Sequence, residues 1–384
     1  MIVKKRILFI LPGKCFQNLF SFVEYRYSFF SQYFDGDMIG FGWKYFLSLK
    51  NINNFNVHPF KYHNNSFLRL LSSGRLLTKA IELRYINKRN FDVIISPDPL
   101  VNGFMAIIIG KIFKAKVIVE VNGNFESCFK FGAFGEIKPS LFERLKDFSS
   151  RFFIKRVLSK ADTVKLVYSK QLVPLKLRNE SHIKTVSFPN FVATRFFIEK
   201  EKTDGKYILL MGFPWYLKGV DILIKAFNRI HADFPEYSLK IVGWIPEGKE
   251  YFEKLSEGNP KIELCNSVFY DKVIDLMVNC SLYVLASRTD SSPRVLREAM
   301  ASKKPIIASN IDGVPDLIKD GYNGLLFEKE NHEDLAQKIR LLLTDKNLAN
   351  TLAENGFDYV QKYLSETCYI NQYKEMIDNL CAGK

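Results

Sequence analysis

Short apolar runs alternate with longer amphipathic stretches along nearly all of the 384 residues. In the first half, Ile7 to Leu11, Val93 to Ser96, Val117 to Val121 and Thr163 to Val167 read as buried strands. Helical spacing covers 17–33, 66–88, 102–113 and 141–158. Runs that are apolar without alternation belong to parallel strands covered on both faces by helices, so the pattern predicts an α/β fold. The periodicity breaks over 189–206, a stretch of mixed charge that reads as a linker. A second alternation follows through Tyr207 to Met211, Leu239 to Val242, Ile262 to Cys265, Leu282 to Leu285, Pro305 to Ala308 and Gly324 to Phe327. Two doubly wound domains are therefore expected, over 1–188 and 207–364, with 365–384 as a last helix.

Composition changes this picture little: 47% hydrophobic and 25% charged residues are those of an ordinary globular protein. The apolar runs stop far short of the roughly 20 residues that cross a bilayer. Lys4, Lys5 and Arg6 precede an apolar run, but it ends at Pro12 without a small-residue cleavage site and reads as the first strand. Six cysteines without CxxC spacing predict reduced thiols in a cytoplasmic protein and no zinc site. Charge is more informative. Residues 1–200 hold 32 Lys+Arg against 14 Asp+Glu, or +18; the remainder holds 23 against 27, or −4. A basic first half implies an anionic partner: a membrane leaflet, a lipid phosphate or a nucleic acid. Within it, 66–90 and 141–160 interleave Arg and Lys with Leu, Phe and Ile, the composition of helices that lie on anionic membranes and equally of solvated helices with one apolar stripe.

The segment Leu285 to Glu298, LASRTDSSPRVLRE, ends a strand in polar residues and opens a helix. Ser292 is the candidate N-cap, and Pro293 suits the first turn. Free N–H groups and the positive dipole at such a helix end suit a diphosphate, at the carboxyl edge where open α/β sheets bind ligands.

From Asp290 through Glu298-Ala-Met-Ala301, then KKPIIAS, Gly313-Val-Pro-Asp316 and Asp320-Gly-Tyr-Asn-Gly324, the chain resembles family 4 of the retaining glycosyltransferases with the GT-B fold. The likeness is dense over 207–380. It implies two Rossmann-like domains facing each other across a cleft, the first meeting the acceptor and the second the nucleotide-sugar donor, with the last helix returning to the first domain. By the same resemblance Glu298 would accept the ribose hydroxyls, Asp290 would meet hydroxyls of the donor sugar, and Lys218, in Met211-Gly-Phe-Pro-Trp-Tyr-Leu-Lys218-Gly219-Val-Asp221, would neutralise the diphosphate. Gly13, Gly212, Ser292, Arg294 and Val295 complete the expected donor site, and Asn122 stands where relatives often carry a His near the reacting sugar. Two departures matter. Phe213 occupies the place of a family Arg, for which Arg294 is the candidate substitute, and Asp290 is one methylene shorter than the usual Glu.

The resemblance implies transfer of a hexose or N-acetylhexosamine, with retention, from a UDP-sugar to a lipid-linked or oligosaccharide acceptor in cell-surface glycan synthesis. The protein would act in the cytoplasm, peripheral on the inner face of the membrane. No metal or other cofactor is expected, the nucleotide-sugar being a co-substrate. The Asp35-Gly36-Asp37 sequence is read as a turn rather than as a metal motif. Nucleic acid is not an expected partner, since no recognition module is visible. The alternatives are a GT-B epimerase or phosphorylase, and a basic membrane- or nucleic-acid-binding module without turnover.

Overall fold

Every apolar run named above becomes a strand. The structure is a computed structural model that describes residues 4–11, 25–42, 47–61, 73–124, 141–173, 175, 182–197, 205–244 and 249–382. Its strands are β1 (Arg6–Ile10), β2 (Asp35–Gly42), β3 (Asn51–Ile52), β4 (Phe55–Lys61), β5 (Val93–Ser96), β6 (Lys116–Val121), β7 (Thr163–Leu166), β8 (Thr185–Ser187), β9 (Gly205–Met211), β10 (Ser238–Val242), β11 (Ile262–Cys265), β12 (Cys280–Leu285), β13 (Ile306–Ser309) and β14 (Leu325–Phe327). The described helices are α1 (Gly74–Ile81), α2 (Val101–Phe113), α3 (Leu141–Leu158), α4 (Val220–Ile230), α5 (Glu250–Leu255), α6 (Tyr270–Asn279), α7 (Arg294–Ala301), α8 (Val314–Leu317), α9 (His332–Thr344), α10 (Lys346–Tyr363) and α11 (Glu366–Cys381).

Two sheets form. The first runs β3-β4-β2-β1-β5-β6-β7-β8, parallel except for β3, and the second runs β11-β10-β9-β12-β13-β14, parallel throughout. In each, order reverses beside the first strand of its unit, which leaves a crevice at the carboxyl ends of the strands. Leu8, Ile10 and Val119 pack one face of the first sheet against α1, α2 and α3; Ile7, Phe9 and Ile118 pack the other against 25–30 and α11. The second sheet is sandwiched likewise, between α4 and α9 on one face and α6, α7 and α8 on the other.

Four strands escaped the pattern: β2, β3, β4 and β8. Asp35-Gly36-Asp37, expected to turn, instead opens β2: Asp37 is buried and its Oδ1 lies 2.8 Å from His58 Nε2 on the paired β4. Neither a DGDMIGFG strand nor an FNVHPFK strand has the branched apolar run that marks a buried strand, and the antiparallel β3 is two residues long. The 189–206 segment is also more than a spacer, since Phe191, Val192, Ala193 and Phe196 are buried.

The last helix α11 is tied to the first sheet by a buried charge cluster. Arg26 Nη2 donates to Glu120 Oε1 at 2.8 Å and to the Tyr373 hydroxyl at 3.0 Å, while Tyr373 donates to Glu120 in turn. Lys165 Nζ donates to Asn190 Oδ1 at 3.0 Å and lies 4.9 Å from the centre of the Phe188 ring. Burial alone would raise the Glu120 carboxyl, but the Arg26 and Lys165 charges override it and hold it at about 2. Burial pushes the Lys165 amine down to about 7. Because Glu120 is depressed from its ordinary 4.5, it contributes stability above about pH 4.5 that is lost as pH falls toward 2. The urea midpoint of the protein should fall across that window, and the fall should be shallower in Glu120→Gln. Glu120→Ala, which strands buried cations, should cost about 3 to 5 kcal/mol at neutral pH.

Candidate functional site

The carboxyl ends of β9 and β10 are adjacent because the strands pair in parallel, and the chain leaves them through Gly212-Phe213 and Gly243-Trp244. Across from these loops stand Ser267, Val268, Tyr270 and Val273 before and within α6; the first turns of α7 supply Arg294, Val295 and Glu298. Together they enclose a cleft of about 770 Å³.

Glu298 sits on α7 with 2% of its surface exposed. Tyr270 donates its hydroxyl to Oε1 at 2.7 Å, and Arg294 Nε lies 3.4 Å from the same oxygen. The other oxygen, Oε2, is buried and has no hydrogen-bond partner among the described residues. A carboxylate at a cleft wall with an unused oxygen is a site prepared for hydroxyl donors. Tyr270 is itself held in place by cations: Arg195 lies 4.0 Å and Arg294 5.4 Å from its ring centre. Burial and then the Glu298 charge push the Tyr270 hydroxyl well above its ordinary range, so it stays a donor.

Lys218 and Asp290 form a second unit beside this cleft. Lys218 Nζ donates to Asp290 Oδ2 at 2.7 Å, with side chains 18% and 13% exposed. Gly212 makes room for it: φ is +149°, and a Cβ there would lie 3.1 Å from Lys218 Cγ. The next glycine, Gly219, begins α4 in the left-handed region at φ +67°, and a Cβ would meet the Ala286 carbonyl oxygen at 1.9 Å. Thus the Lys218 stem and the end of β12 are brought together by two residues without side chains.

The expected site residues fall into three groups. Gly212, Arg294, Val295 and Glu298 share the cleft, whereas Lys218 and Asp290 pair with each other at its side. Ser292 does not cap α7; the helix begins after Pro293 without a side-chain cap, because Arg297 takes both the Ser292 carbonyl and hydroxyl oxygens. Asn122 lies on the first domain, its amide nitrogen donating to Glu120 Oε2 at 2.8 Å and to the Pro97 carbonyl at 3.2 Å. Gly13 lies outside the described residues. Tyr270, Trp244 and Arg195 were not foreseen: their partners are distant in sequence, and an isolated aromatic or Arg carries no local signature.

The two domains meet at this edge. Ser291 Oγ donates to the Asn122 carbonyl at 3.4 Å, Asn124 Nδ2 donates to Asp312 Oδ2 at 2.8 Å, and the Ser169 amide donates to Asp316 Oδ2 at 2.8 Å. Nearly the whole architecture recurs in Anabaena HepE, whose crystal structure in complex with UDP superposes with a TM-score of 0.74 over 98% of this chain and all of that one, at 16% identity. Residues 192–359 match the family described as glycosyl transferases group 1. The chain has the GT-B fold, and over 192–359 it is similar to glycosyltransferases of the family 4 type. An uncharacterised glycosyltransferase of Methanocaldococcus jannaschii is 32% identical over 236 residues, 59% of this chain and 64% of its own length. The chain thus spans under two thirds of that relative. The N,N'-diacetylbacillosaminyl-diphospho-undecaprenol α-1,3-N-acetylgalactosaminyltransferase of Campylobacter jejuni is 32% identical over 112 residues, 28% of this chain and 30% of its own.

Proposed function

We propose that the protein transfers a hexose or N-acetylhexosamine from a nucleoside diphosphate sugar, UDP-linked by preference, to a lipid-linked or oligosaccharide acceptor, with retention at the anomeric carbon. The observation that carries this reading is Glu298: a buried carboxylate with one oxygen unpartnered, set on the wall of a cleft at the carboxyl edge of the second sheet. Its unpartnered oxygen suits the two ribose hydroxyls, and on this reading the diphosphate lies toward the N-terminus of α7 and Lys218.

In the transfer itself the acceptor oxygen bonds to the anomeric carbon as the bond from that carbon to the diphosphate oxygen breaks. The acceptor proton passes to the departing diphosphate. The protein's part is to align the two substrates and stabilise the developing negative charge, which Lys218 and Arg294 can do as fixed cations without a metal.

The acceptor side is supported by charge and surface. Of the three helices covering one face of the first sheet, α2 exposes Phe104 and α3 exposes Phe152; Tyr85 and Ile86 protrude just after α1. Arg75, Lys88, Lys111, Lys114 and Arg156 are exposed on the same three-helix layer. Such a basic, aromatic-studded face suits peripheral docking on the inner leaflet, where lipid-linked acceptors are presented. No helix among the described residues is long and apolar enough to cross a membrane.

The reading is tested by incubating the protein, in EDTA, with UDP-, GDP- and ADP-sugars and a polyprenyl-diphosphate-linked saccharide in anionic vesicles. One donor should give a glycosidic product whose anomeric proton coupling matches the configuration of the donor. A product of inverted configuration would remove the retaining mechanism. Donor hydrolysis or epimerisation with no transferred sugar would remove the transferase.

A further inference from the structure

Two large aromatic side chains stand in the mouth of the Glu298 cleft with much of their surface in water: Phe213 is 48% and Trp244 67% exposed. They follow neighbouring strands β9 and β10, and their ring centres are 6.4 Å apart with planes tilted by 43°. Exposed rings paired at the rim of a cleft mark a surface that binds something flat and apolar-faced. The lining of this one cleft combines the polar Glu298 and Arg294 with the two rings and with Val268 and Val273. A nucleoside combines the same two characters, a hydroxyl-bearing ribose and a planar base.

We infer that Phe213 and Trp244 form an aromatic seat on which the base of the donor nucleotide stacks while Glu298 holds its ribose. This rests on the donor-site reading of Glu298 and adds the residues that grip the base. It also gives Phe213 a purpose of its own. The ring stands where the resembling family carries an Arg, so this chain exchanges a contact with the phosphates for one with the base. Stacking accepts any base with a π-face and is worth about 1 to 3 kcal/mol, or roughly 5- to 150-fold in affinity.

Trp244 also supplies the readout. Of the two tryptophans among the described residues, Trp215 is fully buried and Trp244 is exposed in the cleft mouth, so the Trp244 indole is placed to sense a bound base. Titration with UDP, GDP and ADP, and with inorganic pyrophosphate as the probe without a base, should quench indole fluorescence for at least one nucleotide and not for pyrophosphate. By calorimetry, Trp244→Leu and Phe213→Leu should each weaken that nucleotide about tenfold or more, with pyrophosphate affinity unmoved and circular dichroism unchanged. Trp244→Phe should restore most of the affinity and abolish the quench. Unchanged nucleotide affinity in both Leu variants, together with loss of binding in Glu298→Ala, would overturn the aromatic seat and leave the donor site standing. Absence of nucleotide binding by the wild-type protein would withdraw both.

Discussion

Glu298→Ala should abolish nearly all stabilisation of the protein by its donor nucleotide. At a concentration of about 100 times the dissociation constant, the ligand adds about 2.7 kcal/mol to the wild-type protein. Two hydrogen bonds from ribose hydroxyls to a buried carboxylate are worth about 1.5 to 3 kcal/mol each, so their loss weakens binding about 100-fold or more. At the same nucleotide concentration the variant then sits near its own dissociation constant and gains only about 0.4 kcal/mol. The melting temperature, raised by several degrees in the wild type, should hardly move. The truncation also takes a partner from Tyr270 and Arg294, so some loss of basal stability is expected. Glu298→Gln controls for it, since it keeps the shape and one acceptor oxygen and should retain an intermediate shift. Equal nucleotide-induced shifts in wild type and Glu298→Ala would place the nucleotide elsewhere.

This site was legible in part. Glu298 and Asp290 stood out because the strand-to-helix turn that carries them is local, and the spacing of the carboxylates survives in one contiguous segment. The buried parallel strands were legible for the same reason: a run such as Val93 to Ser96 states its burial in four adjacent residues. What pairs across the chain was not. Tyr270 meets Glu298 from 28 positions away, and Trp244 joins Phe213 because β9 and β10 end side by side. The charge cluster of Arg26, Glu120 and Tyr373 draws on three distant segments, each of which alone reads as a solvated polar residue or apolar filler. β2 was hidden because its Asp and Gly residues have the composition of a turn, and the His58 partner on β4 helps make burial of Asp37 tolerable. The Ser292 cap failed for a similar reason, Arg297 having claimed its hydroxyl.

Lys218→Ala should lower turnover by about 100- to 1,000-fold, the loss that follows removal of one fixed charge stabiliser of a departing oxyanion. The effect should be at the upper end of that range, since Phe213 leaves the diphosphate without the Arg that the resembling family supplies at that place. Lys218 also has a structural partner, and the two roles can be separated. Its ammonium is held 2.7 Å from the Asp290 carboxylate, both side chains being mostly buried. Removing the amine alone strands the carboxylate, so Lys218→Ala should melt lower than wild type as well as turn over slowly. Adding Asp290→Asn removes the stranded charge and should recover most of the stability. It cannot recover the turnover, because no cation has been returned to the leaving group. Lys218→Arg keeps the charge but swaps a compact ammonium for a broad planar fork in a channel shaped by Gly212, so it should rescue only a fraction of the rate. Turnover of Lys218→Ala within about tenfold of wild type would mean that the leaving group is neutralised from elsewhere, with Arg294 the side chain to replace next.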